Sequence, residues 1–490
     1  MQHTAALAPT TDVISQTIVG LTIVGVFVLL TIEAAHRVLV VIAAAALLWL
    51  VTYLTPFHVI PFEAAWRAID VNVLFLLAAM MALVGVLKDT GVFAWGVARL
   101  LQLTGGKPFA VLTLLIWLTA VLSAAVDNVT TVIFVTPMAI AMARQSGLPV
   151  PALLMPVVMA SNIGGTATLI GDPPNIMIGS GASIPFVAFL LNVAAPVLAM
   201  VFLLDFASRR YYRAGLTATL AGRQPLPVAP PISNPRLLRW TTVIGIGVFV
   251  GFVTQEWTGM PPAVSALAGA AAAMLVQDIL YTRTRPPTPH ERRHGILRIF
   301  ENDIEWPTLA FFTFLFIVVG ATVETGLIAR VATGLSAAIH AGSETFGLGE
   351  AGTLLLAALL ICWVSAGLSG FIDNIPFVAV SIPIVHQLSG ELPGDTMVLW
   401  WALSLGACLG GNATMVGASA NVTVTGLAER AGEPIPFRQF AKFGVPIAVL
   451  TIFVSNIYLA LFAFAGSRPA YATMLGAAAV LGLLRMLRKS

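Results

Sequence analysis

Apolar runs, each about as long as one membrane crossing, follow one another along the chain. A helix needs about 17–25 mostly apolar residues to cross a hydrocarbon layer of ~30 Å. Uninterrupted runs of this length lie near 14–32, 38–55, 72–88, 186–205, 240–256, 262–280, 306–323, 443–464 and 470–486. Two others, near 151–180 and 397–427, contain glycine-rich interruptions, and we interpret them as broken crossing helices. The pattern predicts an all-α polytopic membrane protein with about eleven crossings.

Two further apolar stretches, 109–143 and 351–388, are too long for one crossing and carry acidic residues in their middle. The first contains Asp127-Asn128 and the second Asp373-Asn374. An ionised carboxylate at the centre of a membrane helix costs about 2.5–3.5 kcal/mol on insertion scales. Because the chain accepts this cost twice, we infer that the two carboxyls are functional. We therefore predict two re-entrant hairpins with the Asp-Asn pairs at their tips.

The two halves of the chain repeat one another. "LSAAVDNV" matches "LSGFIDNI", and "GGTATLIGDPPN" matches "GGNATMVGASAN", both at an offset of 246 residues. Loop charges place the two hairpins on opposite sides of the membrane, because Lys107 and Arg144 flank the first whereas acidic residues flank the second. These features indicate an inverted-topology repeat of the kind found in secondary transporters.

The repeat divides the chain into five predicted segments. They are N-terminal helices (1–60), a first repeat (61–205), a basic linker with a helical hairpin (206–300), a second repeat (301–464) and a C-terminal helix (465–490).

Composition and charge agree with this interpretation. Hydrophobic residues make up 58% of the 490 residues and charged residues only 10%, against roughly 25% charged in soluble domains. The net charge of +3 needs no nucleic-acid partner, because the arginines concentrate in the loops 205–239 and 278–305. Basic loops stay in the cytoplasm. We therefore predict a multi-pass protein of the inner (plasma) membrane of a bacterial cell, with a cytoplasmic C-terminus.

The interrupted helices are candidates for a binding site. Glycine and proline weaken or break a helix, and the half-helix ends exposed by such breaks bind ions and polar solutes near the membrane midplane. In the first repeat the predicted substrate-binding residues are Asn128, Asn162, Gly164, Gly165, Thr166, Thr168 and Asn175. In the second repeat they are Asn374, Gly410, Gly411, Asn412, Thr414 and Asn421. Sodium, where it is the coupling ion, is expected near Asn128 and Asn374.

Three carboxyl groups are predicted to couple transport to an ion gradient. They belong to Asp127 and Asp373 at the hairpin tips and to Asp172, whose counterpart Ala418 has no carboxyl. Partial desolvation favours the neutral form of a carboxyl, so each can load and release a proton or bind a cation. The alternative is a neutral aspartic acid that is permanently hydrogen-bonded. We expect H⁺ or Na⁺ as the coupling ion and no cofactor or structural metal.

Other polar residues receive a structural interpretation. Glu33, His36 and Arg37 are assigned to a short internal turn, and Cys408 is interpreted as a buried inert thiol rather than a residue facing the site. An intramembrane aspartyl protease is disfavoured, because Leu169 stands where its Gly-x-Gly-Asp signature would need glycine. A passive channel, also disfavoured, would show conductance far above any carrier turnover and no coupling to a gradient. The sequence thus favours a carrier over an enzyme or a channel.

With these motifs in hand, the chain resembles the ion transporter superfamily. The resemblance covers roughly residues 60–460, and it is closest to the branch of arsenite permeases, NhaD-type sodium/proton antiporters and the P protein. It is carried by "DNVTTVIFVTP", "NIGGTATLIGDPPNIMIG", "FIDNIPFVAVSIP" and "LGACLGGNATMVGASAN". The resemblance implies a scaffold domain, a mobile transport domain that moves as an elevator, and a homodimer. As in arsenite-permease systems, it also implies a cytoplasmic ATPase partner.

The hairpin tips differ from those of the dicarboxylate branch, which read Ser-Asn-Thr. Here they read Asp127-Asn128-Val129 and Asp373-Asn374-Ile375, and two carboxylates would repel a dianionic substrate. The resemblance to arsenite permeases implies a proton- or sodium-coupled exporter of a small inorganic solute, and we predict efflux of arsenite or antimonite by proton antiport. Neutral As(OH)₃ can bind hydroxyl, amide and backbone groups weakly, so the presence of only two cysteines does not oppose this substrate. Sodium/proton antiport is the alternative, followed by carriage of an organic or inorganic anion.

Overall fold

The computed structural model describes residues 12–32, 35–105, 107–217, 231–284 and 298–487. Glu33 and parts of the predicted basic linker lie outside these ranges. Within them all regular secondary structure is helical, and ten helices are long and apolar enough to cross a membrane. The predicted all-α membrane fold is confirmed.

The helices before the second repeat follow the predicted runs closely. The N-terminal helices are α1 (Val13–Thr31), α2 (Arg37–Leu54) and α3 (Phe62–Ala68). The first repeat contains α4 (Val71–Asp89), α5 (Val92–Leu103), α6 (Pro108–Ala125), α7 (Asn128–Ser146), α8 (Val150–Thr166), α9 (Pro173–Gly181) and α10 (Phe186–Tyr211). Between the repeats lie α11 (Arg213–Thr217), α12 (Pro235–Val253), α13 (Gln255–Thr258), α14 (Pro262–Thr284) and a π-helical turn (Ile299–Asp303).

The second repeat reproduces the helix order of the first. It contains α15 (Trp306–Glu324), α16 (Leu327–Phe346), α17 (Glu350–Ser369), α18 (Asn374–Glu391), α19 (Met397–Gly410), α20 (Ser419–Arg430) and α21 (Phe437–Ala465). A 3₁₀ turn (Gly411–Ala413) follows α19, and α22 (Ser467–Leu487) ends the described chain. Each of the seven helices from α4 to α10 thus has a counterpart between α15 and α21.

Both predicted hairpins and both predicted breaks are present. The aspartates start the second arm of each hairpin as helix N-caps, since Asp127 accepts a hydrogen bond from the Thr130 N–H (2.9 Å) and Asp373 from the Ile375 N–H (3.2 Å). The first crossing helix is interrupted between α8 and α9, and the second between α19 and α20. Pro173 occupies the first position of α9, where a missing N–H costs nothing.

The helix ends fall on two faces of the protein. We define the basic face as the one that holds the C-terminal end of α10 and the N-terminal end of α12. The first hairpin begins there, because Thr113 near the start of α6 donates a 2.5 Å hydrogen bond to Asp205 near the end of α10. Arg144, at the end of α7, donates to the Ala431 carbonyl just after α20 and lies 3.8 Å from Glu433. The end of α20 is therefore at the basic face too, and the loop that precedes α19 lies at the opposite face.

Glycines let the broken helices pack directly against the hairpin arms. A Cβ atom on Gly164 would overlap the backbone of Ala120 in α6, and one on Gly410 would overlap that of Ala366 in α17. The same contact thus occurs in both repeats, and it fixes the height of each break relative to its hairpin tip.

We expect Gly164→Ala and Gly410→Ala each to destabilise the protein by about 1–3 kcal/mol, the usual cost of overpacking. The measurement is the midpoint of thermal unfolding of the purified protein in detergent. Gly245→Ala is the matched control, because a Cβ there meets no atom within 4 Å. A Gly164→Ala or Gly410→Ala midpoint equal to that of the control would show that the contact is looser than described.

Candidate functional site

A cavity of about 610 Å³ lies where the two hairpin tips and the two breaks meet. Its acidic wall residues come from four places: Asp127 and Asp373 from the tips, Asp172 from the first break, and Glu305 from the turn before α15. His36 and Glu305 are exposed at its rim. Because Glu305 follows the basic linker and precedes α15, the mouth of the cavity lies at the basic face.

Asp172 is the most buried of these acids, with 1% of its surface exposed. The Nδ2 of Asn374, at the tip of the second hairpin, lies 3.5 Å from its Oδ2. The corresponding residue of the first hairpin, Asn128, instead lies 3.4 Å from the Oδ1 of Asn162. Each tip asparagine therefore contacts a side chain of the first broken helix, and the two contacts differ chemically.

Asn162 joins the two broken helices at the centre of the protein. Its Nδ2 donates to Asn412 Oδ1 (3.0 Å) and to Asn421 Oδ1 (2.9 Å), so it connects the first broken helix to both halves of the second. All three residues are fully buried. Amide groups suit this place, since each offers donors and an acceptor without a charge.

Asn175 and Asn421 bind the carbonyls that the breaks release. The Nδ2 of Asn175 is within 3.3 Å of the Gly165, Thr166 and Thr168 carbonyls. The Nδ2 of Asn421 donates to the Gly411 and Thr414 carbonyls, both at 2.7 Å. A carbonyl left unpaired at this depth would be costly, because there is no water to satisfy it. These two asparagines therefore stabilise the breaks themselves.

The predicted site residues divide into a wall and a support. The described wall of the cavity includes Asp127, Asn128, Asp172, Asp373 and Asn374. The other predicted residues lie behind that wall, in the broken helices and the contacts that hold them: Asn162, Gly164, Gly165, Thr166, Thr168, Asn175, Gly410, Gly411, Asn412, Thr414 and Asn421. Thr168 and Thr414 donate to carbonyls of the neighbouring hairpins, at Ala124 (2.6 Å) and Gly370 (2.5 Å).

The sequence analysis missed a basic residue in the wall. Arg37, assigned to a turn, is the first residue of α2, and its guanidinium donates to Ser419 Oγ (3.2 Å) and to Thr308 Oγ1 (3.1 Å). His36 and Glu305 also line the cavity. The sequence did show that Arg37 and Glu305 each stand at the start of an apolar run. These two starts lie close together at the basic face because α2 packs on α15.

Cys408 is fully buried outside the described wall, with its Sγ 3.4 Å from Asn175 Oδ1. Cys362 is fully buried as well. Cys408 is therefore buried as predicted, but its thiol also contacts the carboxyl of Asp172, a residue of the wall.

We expect Val422→Cys to react with a membrane-impermeant thiol reagent added from the basic face and not from the opposite face. Val422 lines the cavity and is 46% exposed, whereas both native cysteines are buried and should stay unlabelled. The measurement is mass-tagging in oriented membrane vesicles. Pro393→Cys, in the exposed loop before α19, is the matched control and should react only from the opposite face. Labelling of Val422→Cys only from the opposite face would contradict the described opening.

Known proteins are similar to this chain in sequence and in architecture. The model of the citrate transporter family (CitMHS) matches residues 27–406. An uncharacterized transporter of Mycobacterium tuberculosis is 35% identical over 450 residues, which cover 90% of this chain and 97% of that protein. The human P protein is 29% identical over 526 residues, covering 90% of this chain and 59% of its own length.

A solved structure has the same fold. The crystal structure of the YdaH transporter of Alcanivorax borkumensis matches with a TM-score of 0.61 and 14% identity, over 89% of this chain and 100% of that chain. The resemblance inferred from the sequence motifs is thereby confirmed. Since the family model covers well over half of the sequence, the chain belongs to the citrate transporter family of the ion transporter superfamily.

Proposed function

We propose that this secondary transporter is a proton- or sodium-coupled antiporter that exports arsenite or antimonite. The observation that carries the proposal is the convergence of Asp127, Asp172 and Asp373 on one cavity between the two breaks. Carboxyl groups at such a place are expensive in a membrane and mark ion pathways or proton relays. By the distribution of basic loops, the basic face is cytoplasmic, so the cavity faces the compartment from which a toxic solute is removed.

The charge of the cavity favours a cation or a neutral solute over a polyanion. Its described wall holds four carboxyl groups and one guanidinium, that of Arg37. Like charges at close range repel one another strongly in a site shielded from water. Neutral As(OH)₃ avoids this repulsion and can bond to the amides and carboxyls of the wall. The wall contains no thiol among the described residues, which suits a solute that must be released.

Exchange would follow from competition in one cavity. Protons or sodium ions that load Asp127, Asp172 and Asp373 lower the negative charge of the wall, whereas the solute uses the ionised carboxyls and the tip amides as hydrogen-bond partners. A ligand shifts an equilibrium only through its different affinity for the two states. The hairpins and broken helices would then move as an elevator past α4 and α15, and would carry either the coupling ion or the solute across the membrane.

The assembly is part of the same proposal. We infer a homodimer in the inner membrane with a cytoplasmic C-terminus. An ATPase partner stays a prediction, because an ion gradient alone can supply the free energy of exchange.

Sodium/proton antiport is the second candidate. Oxygen ligands suit hard cations, and the wall offers carboxyl oxygens together with the amide oxygens of Asn128 and Asn374. The family name points to citrate as a third candidate, and Arg37 is the observation that favours an anion. Citrate would need accompanying cations to offset the four carboxyls.

We expect purified protein in proteoliposomes to move protons or sodium ions in response to an arsenite gradient. Asp127→Asn and Asp172→Asn should each reduce the coupled flux by about 5–150-fold, the range of typical coupling free energies, because neither amide can bind a proton or a cation as a carboxylate does. Asp395→Asn is the matched control, since Asp395 lies in an exposed loop at the opposite face. If both cavity variants keep uphill transport, the coupling role of these residues is wrong.

The same vesicles separate the three substrates. Arsenite-dependent proton or sodium flux supports the first candidate, and sodium-dependent proton flux without arsenite supports the second. Flux that requires citrate and ignores arsenite would overturn the export proposal in favour of an anion carrier.

A further inference from the structure

The two tip aspartates, equivalent in sequence, have different surroundings. Asp127 accepts hydrogen bonds from the N–H and the side chain of Thr130, both within its own hairpin, and lines the cavity. Asp373 has the same kind of backbone contact but also accepts from Ser419 Oγ at 2.9 Å. The residue 246 positions before Ser419 is Pro173, which has no hydroxyl. Of the two tip aspartates, therefore, only Asp373 receives a side-chain hydrogen bond from the start of the second half of a broken helix.

Ser419 connects Asp373 to Arg37. Arg37 Nη1 donates to Ser419 Oγ (3.2 Å) and lies 3.9 Å from Asp373 Oδ2. A guanidinium has donors only and keeps its charge in proteins. The serine oxygen must therefore accept from Arg37, and its own hydrogen points at Asp373, which is held as an acceptor.

A second hydroxyl repeats this arrangement on the other side of Arg37. Nη2 donates to Thr308 Oγ1 (3.1 Å), and Thr308 donates to Glu305 Oε2 (2.9 Å). The guanidinium also lies 5.8 Å from the centre of the Phe311 ring, close enough for a cation–π contact. Ser419, Thr308 and the Phe311 ring thus fix the position of the Arg37 guanidinium. Its positive charge is shared between the carboxyls of Asp373 and Glu305.

Position in the fold adds a second argument. Arg37 and Thr308 belong to α2 and α15, which pack on each other, whereas Ser419 and Asp373 belong to the second broken helix and the second hairpin tip. The Arg37 guanidinium therefore belongs to a helix that borders the cavity, and not to the hairpin tips or broken helices at the centre of the cavity. It reaches the carboxyl of Asp373 from the basic-face side.

We propose that Arg37 is a tethered counter-cation that occupies the cation site at Asp373, so that the exchangeable ion binds at Asp127 and Asp172. The inference rests on the proposed antiport. It assigns unequal roles to the two tip aspartates, which the sequence analysis treated as equal. Arg37 is then a specificity-determining residue, because its charge sets how many mobile cations the cavity takes up.

Other charged groups share the cavity and enter the same balance. Asp172, Asp127 and Glu305 line it with Asp373, and His36 precedes Arg37 at the rim. Glu305 already shares Arg37 through Thr308. Removal of Arg37 would thus leave both Asp373 and Glu305 without their cation, and a mobile proton or sodium ion would replace it.

The test is a charge-removal cycle on Arg37→Gln, Asp373→Asn and the double variant. Proteoliposome flux gives the ion concentration for half-maximal exchange and the reversal potential, which reports the number of ions per cycle. We expect Asp373→Asn to raise that concentration by about tenfold or more, because an unpaired guanidinium repels the ion, and Arg37→Gln to lower it similarly. The double variant should return toward the wild-type value and keep the wild-type reversal potential.

Arg330→Gln, which removes an arginine bonded to Gln16 outside the described cavity wall, should change neither quantity.

A second readout does not depend on transport. An ion that binds the folded protein raises its unfolding temperature by mass action, so the shift with sodium or with pH in detergent reports the site itself. We expect the double variant to keep this shift and Asp127→Asn to lose most of it. The single variants distinguish the proposal from a merely structural Arg37–Asp373 pair. The proposal expects Asp373→Asn to weaken the ion dependence of the unfolding temperature and Arg37→Gln to strengthen it, whereas loss of a structural pair would change the unfolding temperature without changing its ion dependence.

The outcomes separate the two proposals. Wild-type protein with neither ion-coupled flux nor an ion-dependent shift would overturn the antiport function. Coupled wild-type protein whose double variant changes its reversal potential or loses the ion-dependent shift would overturn only the inference, since Asp373 would then bind the mobile ion. Loss of substrate-dependent flux in Arg37→Gln and in the double variant alike, with the ion-dependent shift intact, would also overturn it, because Arg37 would then be a ligand of the substrate.

Discussion

Inside the hydrocarbon layer a carbonyl released from a helix has no water to bond, and the central region of this protein is built around that constraint. Two crossing helices are interrupted at equivalent places, so several carbonyls lose their helical partners there. The side-chain amides of Asn175 and Asn421 bind five of them, and the hydroxyls of Thr168 and Thr414 tie the breaks to the hairpins. Without these donors the breaks would carry unpaired carbonyls at membrane depth, which would destabilise the broken helices that border the cavity.

The framework of the two repeats is symmetric, but the chemistry is not. Ser123 and Ser369 donate to carbonyls at equivalent positions, of Ser161 and Ala407. The symmetry fails where a polar group faces the cavity or its immediate support. Asp172 has Ala418 as its counterpart, Asn162 has Cys408, and Pro173 has Ser419. A duplicated scaffold thus supplies two matched breaks, and a few unmatched side chains place a carboxyl on one side of the cavity and a guanidinium relay on the other.

Much of this fold could be predicted from the sequence, because membrane depth imposes strong rules on composition. The hairpin predicted over 109–143 spans 108–146, and the one predicted over 351–388 spans 350–391. The site was harder to predict. The sequence indicated that Asn175 and Asn421 are polar residues at breaks, but not that their amides turn inward to the backbone. Arg37 was missed because its role depends on how α2 packs on α15, and a charge that ends an apolar run usually serves only as an interfacial anchor.

The charge of the cavity constrains any transport cycle of this chain. The carboxyls of Asp127, Asp172 and Asp373, which belong to the hairpin tips and the first break, cannot all stay ionised and unpaired while they cross a low-dielectric layer, because charge burial without a partner is prohibitive. Arg37 is connected to Asp373 through Ser419 and to Glu305 through Thr308. Asp127 and Asp172 have no such cation among the described contacts, and they are the groups whose charge a mobile ion must offset. An empty cavity would therefore resist crossing and a loaded one would cross more readily, which is the condition for obligatory exchange.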